Sequence, residues 1–440
     1  MKKTLFSLFL AGSLTHVIAQ QPQKIKFTEY DLPNGLHVIL HEDHSTPIVT
    51  VSVLYHVGSK NEDPTRTGFA HFFEHLLFEG SQNIGRGEYM KLIQENGGVL
   101  NANTSFDRTY YYQILPSNQI ELALWMESER MLHAKIDPEG VETQRGVVKE
   151  ELKQRNENQP YGSILNEIFG HAYSVHPYRW TPGGSPEYIN QAKLEEFMDF
   201  YRTFYVPNNA TLCIAGDIDP KKAKEFVAKY FGDIPKGTRP IPRPKEVEPR
   251  KTKEVRDTIF DPNIQLPAVV MGYHIPAQGT PDYYAVSMLG NLLSNGKSSR
   301  LYKSVVDEKQ KALFAGTFPL PTEDPGLALA FAIANMGVNA DDLEKAIDEV
   351  IDVVQKDLIS EEEFQKLRNQ MESEFINSYS SMEGIAENLA NYHVYFKDAN
   401  LINTELDRYM KVTREDIRRV AKEYFRKDNR VVLYYLPKQQ

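Results

Sequence analysis

The chain of 440 residues repeats itself once. Tyr55-His56-Val57 is echoed by Tyr273-His274-Ile275, Ala70 to Leu77 by Val286 to Leu293, and Phe204 to Ile214 by Tyr424 to Tyr434, at offsets of 216 to 220 residues. Self-similarity at a fixed, long offset implies two copies of one folding unit. Each copy mixes strand-like alternation with helical period. The expected fold is therefore α+β: two homologous αβ domains in tandem, each a largely antiparallel sheet packed with helices. Between the copies, Pro235, Pro240, Pro242, Pro244 and Pro249 lie among Lys and Arg, a composition that makes a semi-rigid extended linker. The predicted division is a leader over 1–19, a first domain over 20–235, a linker over 236–255 and a second domain over 256–440.

The copies differ where chemistry is concentrated. In the first, Gly68 to Phe78 has helical period and carries His71, Glu74 and His75 within one arc, with Phe69, Phe72, Phe73, Leu76 and Leu77 around the rest. Residues four apart are neighbours on a helix, so both imidazoles can reach one metal ion. Glu74 stands beside that ion and can take a proton from bound water, whose pKa zinc lowers to roughly 7. The order His-x-x-Glu-His reverses the commoner His-Glu-x-x-His. A solvated helix face would explain the same letters. It would not explain why the second copy has Ser287, Gly290 and Asn291 at those positions.

The chain begins with Lys2 and Lys3, a mostly apolar run from Thr4 to Ile18, and Val17-Ile18-Ala19 as a small-residue cleavage site. This reads as a secretory signal, giving a soluble exported protein, periplasmic or secreted, with no membrane span. Cys213 is the only cysteine, which excludes an internal disulfide and a Cys-based metal cage. A net charge of -10 argues against nucleic acid as a partner.

In chain order, strands are expected over Leu36–Leu40 and Ile48–Val57. His41-Glu42-Asp43-His44 between them reads as a polar turn of hairpin type. Thr67 is placed to cap the motif helix. Val99 to Tyr112 alternates in its second half, while its small polar first half suits an edge strand that accepts another extended chain, or a plain polar hairpin. A long helix is expected from about Asp137 to Asn156. A zinc ion held by two His of one helix usually takes a third protein ligand from elsewhere. Glu150 and Glu151 both qualify, and spacing does not choose between them. Gln144 lies seven before Glu151, on the same face two turns away.

These stretches together carry a family resemblance. Gly68-x-Ala70-His71-x-x-Glu74-His75-x-x-Phe78-x-Gly80, Asn101-Ala102-x-Thr104-x-x-Asp107-x-Thr109-x-Tyr111 and Val147-Val148-x-Glu150-Glu151-Leu152 resemble the inverzincin zinc metallopeptidases of the pitrilysin and mitochondrial-processing-peptidase family, in their two-domain bacterial form. The resemblance implies one zinc ion per chain, held by His71, His75 and Glu151, with Glu74 as catalytic base. It implies that substrate, a peptide or unfolded protein segment, lies along Leu100, Asn101, Ala102, Asn103 and Thr104, inside a clam-like chamber. Two departures stand out. The family usually has Glu where this chain has Gln144. Active members also carry an Arg and a Tyr seven apart in the second half of a subunit, and Val305 to Phe314 has neither; Arg300 and Tyr302 are two apart. The expectation is a zinc endopeptidase subunit completed by a homologous, metal-free chain in a heterodimer, or by a homodimer. The competing expectation is a non-enzymatic peptide-binding or structural subunit of the same fold.

Overall fold

A computed structural model describes residues 24–438; the leader lies outside them. Two sheets organise the chain. The first contains β1 (Thr28–Asp31), β2 (His37–Glu42), β3 (Ile48–Tyr55), β4 (Val99–Thr104), β5 (Thr109–Pro116) and β6 (Ala210–Gly216), in the order β1-β2-β6-β3-β5-β4. The second contains β7 (Val255–Asp261), β8 (Ala268–Ile275), β9 (Ala312–Pro319), β10 (Gly326–Ala334) and β11 (Arg430–Pro437), in the order β7-β11-β8-β10-β9. With β1 set aside, the two orders are the same. In each sheet one pair is parallel, β2 with β6 and β7 with β11, and the other neighbours are antiparallel. The protein has two tandem domains of mixed α+β architecture, and residues 235–254 between the sheets hold no helix or strand.

The repeat extends to single hydrogen bonds. Asn209 donates its side-chain amide to the carbonyls of His56 and Phe204, and Asn429 donates its own to those of His274 and Tyr424. Both asparagines are buried, so each amide satisfies backbone oxygens that would otherwise be stranded away from water.

Each sheet packs helices on both faces, and one covering helix comes from the other half of the chain. Helix Ile164–Ala172 sets Ile168, Phe169 and Ala172 against Val270, Leu327 and Val431 of the second sheet. Gly272 makes room: a Cβ there would stand 2.9 Å from Ile168. In return, helix Met382–Phe396 sets Ile385, Ala386, Leu389 and Ala390 against Ile39, Leu54, Cys213 and Ala215 of the first. Fully burying one such aliphatic side chain contributes about 1.5–3 kcal/mol, so this exchange ties the halves together through their cores.

Two local expectations change. His41 belongs to β2, buried with Nδ1 against the Lys26 carbonyl, and His44 pairs with Asp217 and Glu42. The segment after β2 does lead to β3, but β6 lies between the two strands, so no hairpin forms. Thr67 does not cap the motif helix. Its hydroxyl accepts the Ser185 N–H, and Gly68 takes the N-cap position at φ 98°, a left-handed backbone that favours glycine.

Candidate metal centre and its cleft

The motif helix spans Phe69–Leu76. Phe69, Phe72, Phe73 and Leu76 are all at most 4% exposed and join the core beneath the first sheet. The apolar arc is thus consumed by packing, and the opposite arc faces a cleft of about 890 Å³. Glu62 caps the helix where Thr67 does not. Its two carboxyl oxygens accept the Gly68 and Ala70 N–H groups, each at 2.8 Å, satisfying donors that a helix start leaves open. Burial, the larger influence, pushes the Glu62 pKa up to about 8 against the pull of these donors. Sequence reading missed this residue because the cap comes from six residues upstream, outside the usual capping frame.

The long helix spans Pro138–Asn156, with Asp137 as N-cap accepting the Gly140 N–H. It packs along the motif helix and brings in Glu151. One Glu151 oxygen lies 3.5 Å from His71 Nε2 and the other 3.0 Å from His75 Nε2. Glu150 points elsewhere, accepting from Gln154. The two imidazole rings stand nearly perpendicular, at 83° with centroids 4.9 Å apart, so their nitrogens converge on the carboxylate rather than stack. Hydrogen bonding to His71, then to His75, holds the Glu151 carboxyl well below the usual carboxylate range. It is anionic at neutral pH.

Glu74 lines the same cleft and does not join this convergence. Its Oε2 accepts the Thr104 hydroxyl at 2.6 Å, so the last residue of β4 fixes the orientation of the carboxylate. β4 is the edge of its sheet. Leu100, Asn101, Ala102, Asn103 and Thr104 pair with β5 on one side only, and Asn103 and Thr104 line the cleft. The structure brings His71, His75, Glu151, Glu74, Asn103 and Thr104 to one cleft, while Leu100, Asn101 and Ala102 of the expected strand lie outside its lining.

Gln144 donates to Glu79, which also takes Arg86. Glu79 is 8% exposed. Where the family resemblance leads one to expect a carboxylate on the long helix, the Gln144 amide meets the Glu79 carboxylate just past the end of the motif helix. Gln144 Oε1 and His71 Nδ1 are both buried without a partner among the described residues. Arg300 is held by both oxygens of Glu363, within the second half.

The His71, His75 and Glu151 ligand atoms lie within 4.8 Å of one another, and two imidazoles with one carboxylate are donor types that zinc takes. The residues fit the ion that the fold implies.

The chain belongs to peptidase family M16. Residues 37–179 match the family model described as Insulinase (Peptidase family M16), and residues 191–371 match Peptidase M16 inactive domain. Over 98% of this chain and 96% of the relative, the sequence is 31% identical to the zinc protease PqqE of Helicobacter pylori. The crystal structure of a protease from Helicobacter pylori superposes with a TM-score of 0.90 at 31% identity, covering 94% of this chain and 100% of that one. The periplasmic protease PqqL of Escherichia coli shares the fold at 18% identity and a TM-score of 0.78, with 95% of this chain matching 48% of that one.

Proposed function

We propose that the chain is a zinc-dependent endopeptidase subunit that cleaves peptides or unfolded segments. The observation that carries this reading is the convergence of His71, His75 and Glu151 at a cleft that also receives Glu74 and the open edge of β4. When bound, zinc supplies Lewis acidity, polarising a carbonyl and lowering the pKa of water. His71, His75 and Glu151 would hold it and leave one position open. An extended peptide adds to β4 through backbone hydrogen bonds, which makes binding tolerant of sequence. Glu74, steered by Thr104, accepts the proton of the attacking water and returns it to the leaving amine. Glu74 lines the cleft and is partly exposed, so solvent in the cleft can reach it.

The partner and compartment belong to the same proposal. The chain corresponds to about half of PqqL, which supports a working unit of two such chains enclosing a chamber, with a homologous, metal-free chain supplying the Arg and Tyr absent between Val305 and Phe314. No helix among the described residues is long and apolar enough to cross a membrane, and Lys2 to Ala19 supports export to the periplasm. We retain 20–235, 236–255 and 256–440 as the division of the mature chain.

A second reading is favoured by the match of residues 191–371 to the inactive-domain model and by Gln144: a peptide-binding subunit without turnover. Assaying chelator-sensitive hydrolysis of an unstructured peptide separates the two. Zinc-dependent turnover by the chain, alone or with its homologous partner, establishes the peptidase. Tight peptide binding without turnover in either setting establishes the binder.

A further inference from the structure

A second group of metal-binding side chains lies on the far side of the first sheet, where helix Met382–Phe396 crosses β2. Glu29, His37 and His393 each offer a ligand atom, and the three atoms lie within 4.8 Å of one another. The register of β1 on β2 builds most of this group. Asp31 is directly opposite His37, and Glu29 is opposite Ile39, whose side chain packs against the helix. Cross-strand neighbours share a face, so both acids stand beside the His37 ring. The helix adds His393, stacked on His37 at 3.4 Å and 7°.

The hydrogen-bond inventory around His37 does not close with a neutral ring. Nδ1 lies 2.8 Å from Asp31 Oδ1 and Nε2 lies 3.2 Å from Glu29 Oε2. A neutral imidazole has one N–H and one lone pair. If Nδ1–H donates to Asp31, the stronger contact, then the Nε2 lone pair faces a carboxylate oxygen, and either a second ring proton or a bound cation completes that contact. A ring that donates one nitrogen to a carboxylate and offers the other outward is the usual arrangement of a metal-ligating histidine. Ligand atoms around tetrahedral zinc are about 3.3 Å apart at Zn–N and Zn–O distances near 2.0–2.2 Å, close to the separation of Nε2 from Glu29. The His37 side chain is only 11% exposed. His393 offers the third ligand atom from a partly buried ring. Bringing its nitrogen to the ion requires the ring to turn out of the stack.

We propose that Glu29, His37 and His393 form a second site for a divalent transition ion of the zinc class, with Asp31 fixing the His37 tautomer. Imidazole and carboxylate donors suit zinc and its neighbours rather than calcium or magnesium. The site joins β1 and β2 of the first half to a helix of the second, so its ion is an interdomain clip, independent of the cleft chemistry.

The test uses the full chain carrying His71→Ala and His75→Ala, which removes the imidazoles of the first cluster whatever their role. Zinc titration against a chromophoric chelator, and cobalt(II) absorption, are expected to show one equivalent bound with a low-coordinate nitrogen/oxygen spectrum. Adding His393→Ala is expected to weaken binding by more than about 100-fold, and adding Asp31→Asn by roughly 10–100-fold. Adding Glu29→Gln, a change at an exposed strand-edge residue that leaves packing intact, is expected to lower affinity and alter the cobalt spectrum. Zinc should raise the melting temperature of the starting variant and not that of the His393→Ala form. The proposal is overturned if the starting variant binds no zinc or cobalt at micromolar concentration, or if His393→Ala and Glu29→Gln leave affinity unchanged. It is also overturned if imidazole NMR shows His37 doubly protonated at pH 7 with zinc present, since a proton would then be the missing cation.

Discussion

The cleft of the first half and the matching place in the second half are built on one backbone plan. His75 Nε2 meets Glu151 Oε2 at 3.0 Å; Asn291 Nδ2 donates to Glu374 Oε2 at 3.1 Å. The first pair lies on helices Phe69–Leu76 and Pro138–Asn156, the second on Pro281–Ser294 and Glu361–Ser378. Where Glu74 reaches Thr104 on edge strand β4, Gly290 lies under edge strand β9, and a Cβ there would stand 2.6 Å from Pro319. The helix-to-helix polar contact therefore survives without imidazole, and the position of the proposed base has no room for a side chain. The second half keeps the helix pair without two His and a Glu, so the fold alone does not account for that set in the first half, and the proposed chemistry does.

The comparison can be pressed hardest at the base. Glu74→Gln is expected to lower peptide hydrolysis by about 10²–10⁴-fold with zinc content unchanged, measured by turnover alongside metal analysis; equal turnover would mean that the two helices differ for no catalytic reason. Next come the two carboxylates. Glu151→Gln should cost more than the ~10–100-fold in zinc affinity that outer groups carry, whereas Glu374→Gln should leave affinity for the cleft ion unchanged, both read by chelator competition. Gln144→Glu should tighten zinc by about 10-fold and lower the melting temperature of the metal-free protein, because two carboxylates would then face each other at Glu79. Gly290→Ala should cost about 1–3 kcal/mol of stability by overpacking against Pro319, in denaturant melts, with zinc affinity intact.

The smallest effect concerns pH, at matched residues of the two halves. His274 Nε2 contacts the Ala172 carbonyl of the exchanged helix at 3.1 Å, and burial lowers its pKa to about 4. Its folded pKa is below the unfolded value near 6.5. The neutral ring's contribution is therefore complete above about pH 6.5 and is lost as pH falls toward 4. The pKa of His56, its counterpart, is also lowered by burial, but Glu323 at 2.8 Å opposes that shift, whereas His274 Nε2 meets a backbone carbonyl instead of a carboxylate. Unfolding midpoints between pH 7 and 4 should fall less steeply in His274→Gln than in the parent.

The repeat was legible because strand alternation and the Asn209 and Asn429 turns recur in sequence. The motif helix was legible because its apolar and polar arcs separate at helical period. Glu151 against Glu150 was not legible from spacing, since neighbouring residues on a helix differ only by 100° of rotation and the partner helix decides which one counts; the family resemblance alone selected Glu151. The Glu62 cap and the His37 cluster were also hidden. The first depends on a loop folding back, and the second on a register and on a helix more than 340 residues away. The helix exchange left no sequence trace, because an amphipathic stripe does not say which sheet it will cover.

That exchange bears on how the chain is made. The first sheet is complete in sequence at Gly216, but Ile39, Leu54, Cys213 and Ala215 wait for a helix and turn that end near Ile402. At ribosomal rates of about 5–20 residues per second, the nascent chain carries that bare greasy surface for about 10–40 s. A cell producing this protein has to shield it through that interval, and a truncated message that stops before residue 382 would yield a product prone to aggregate.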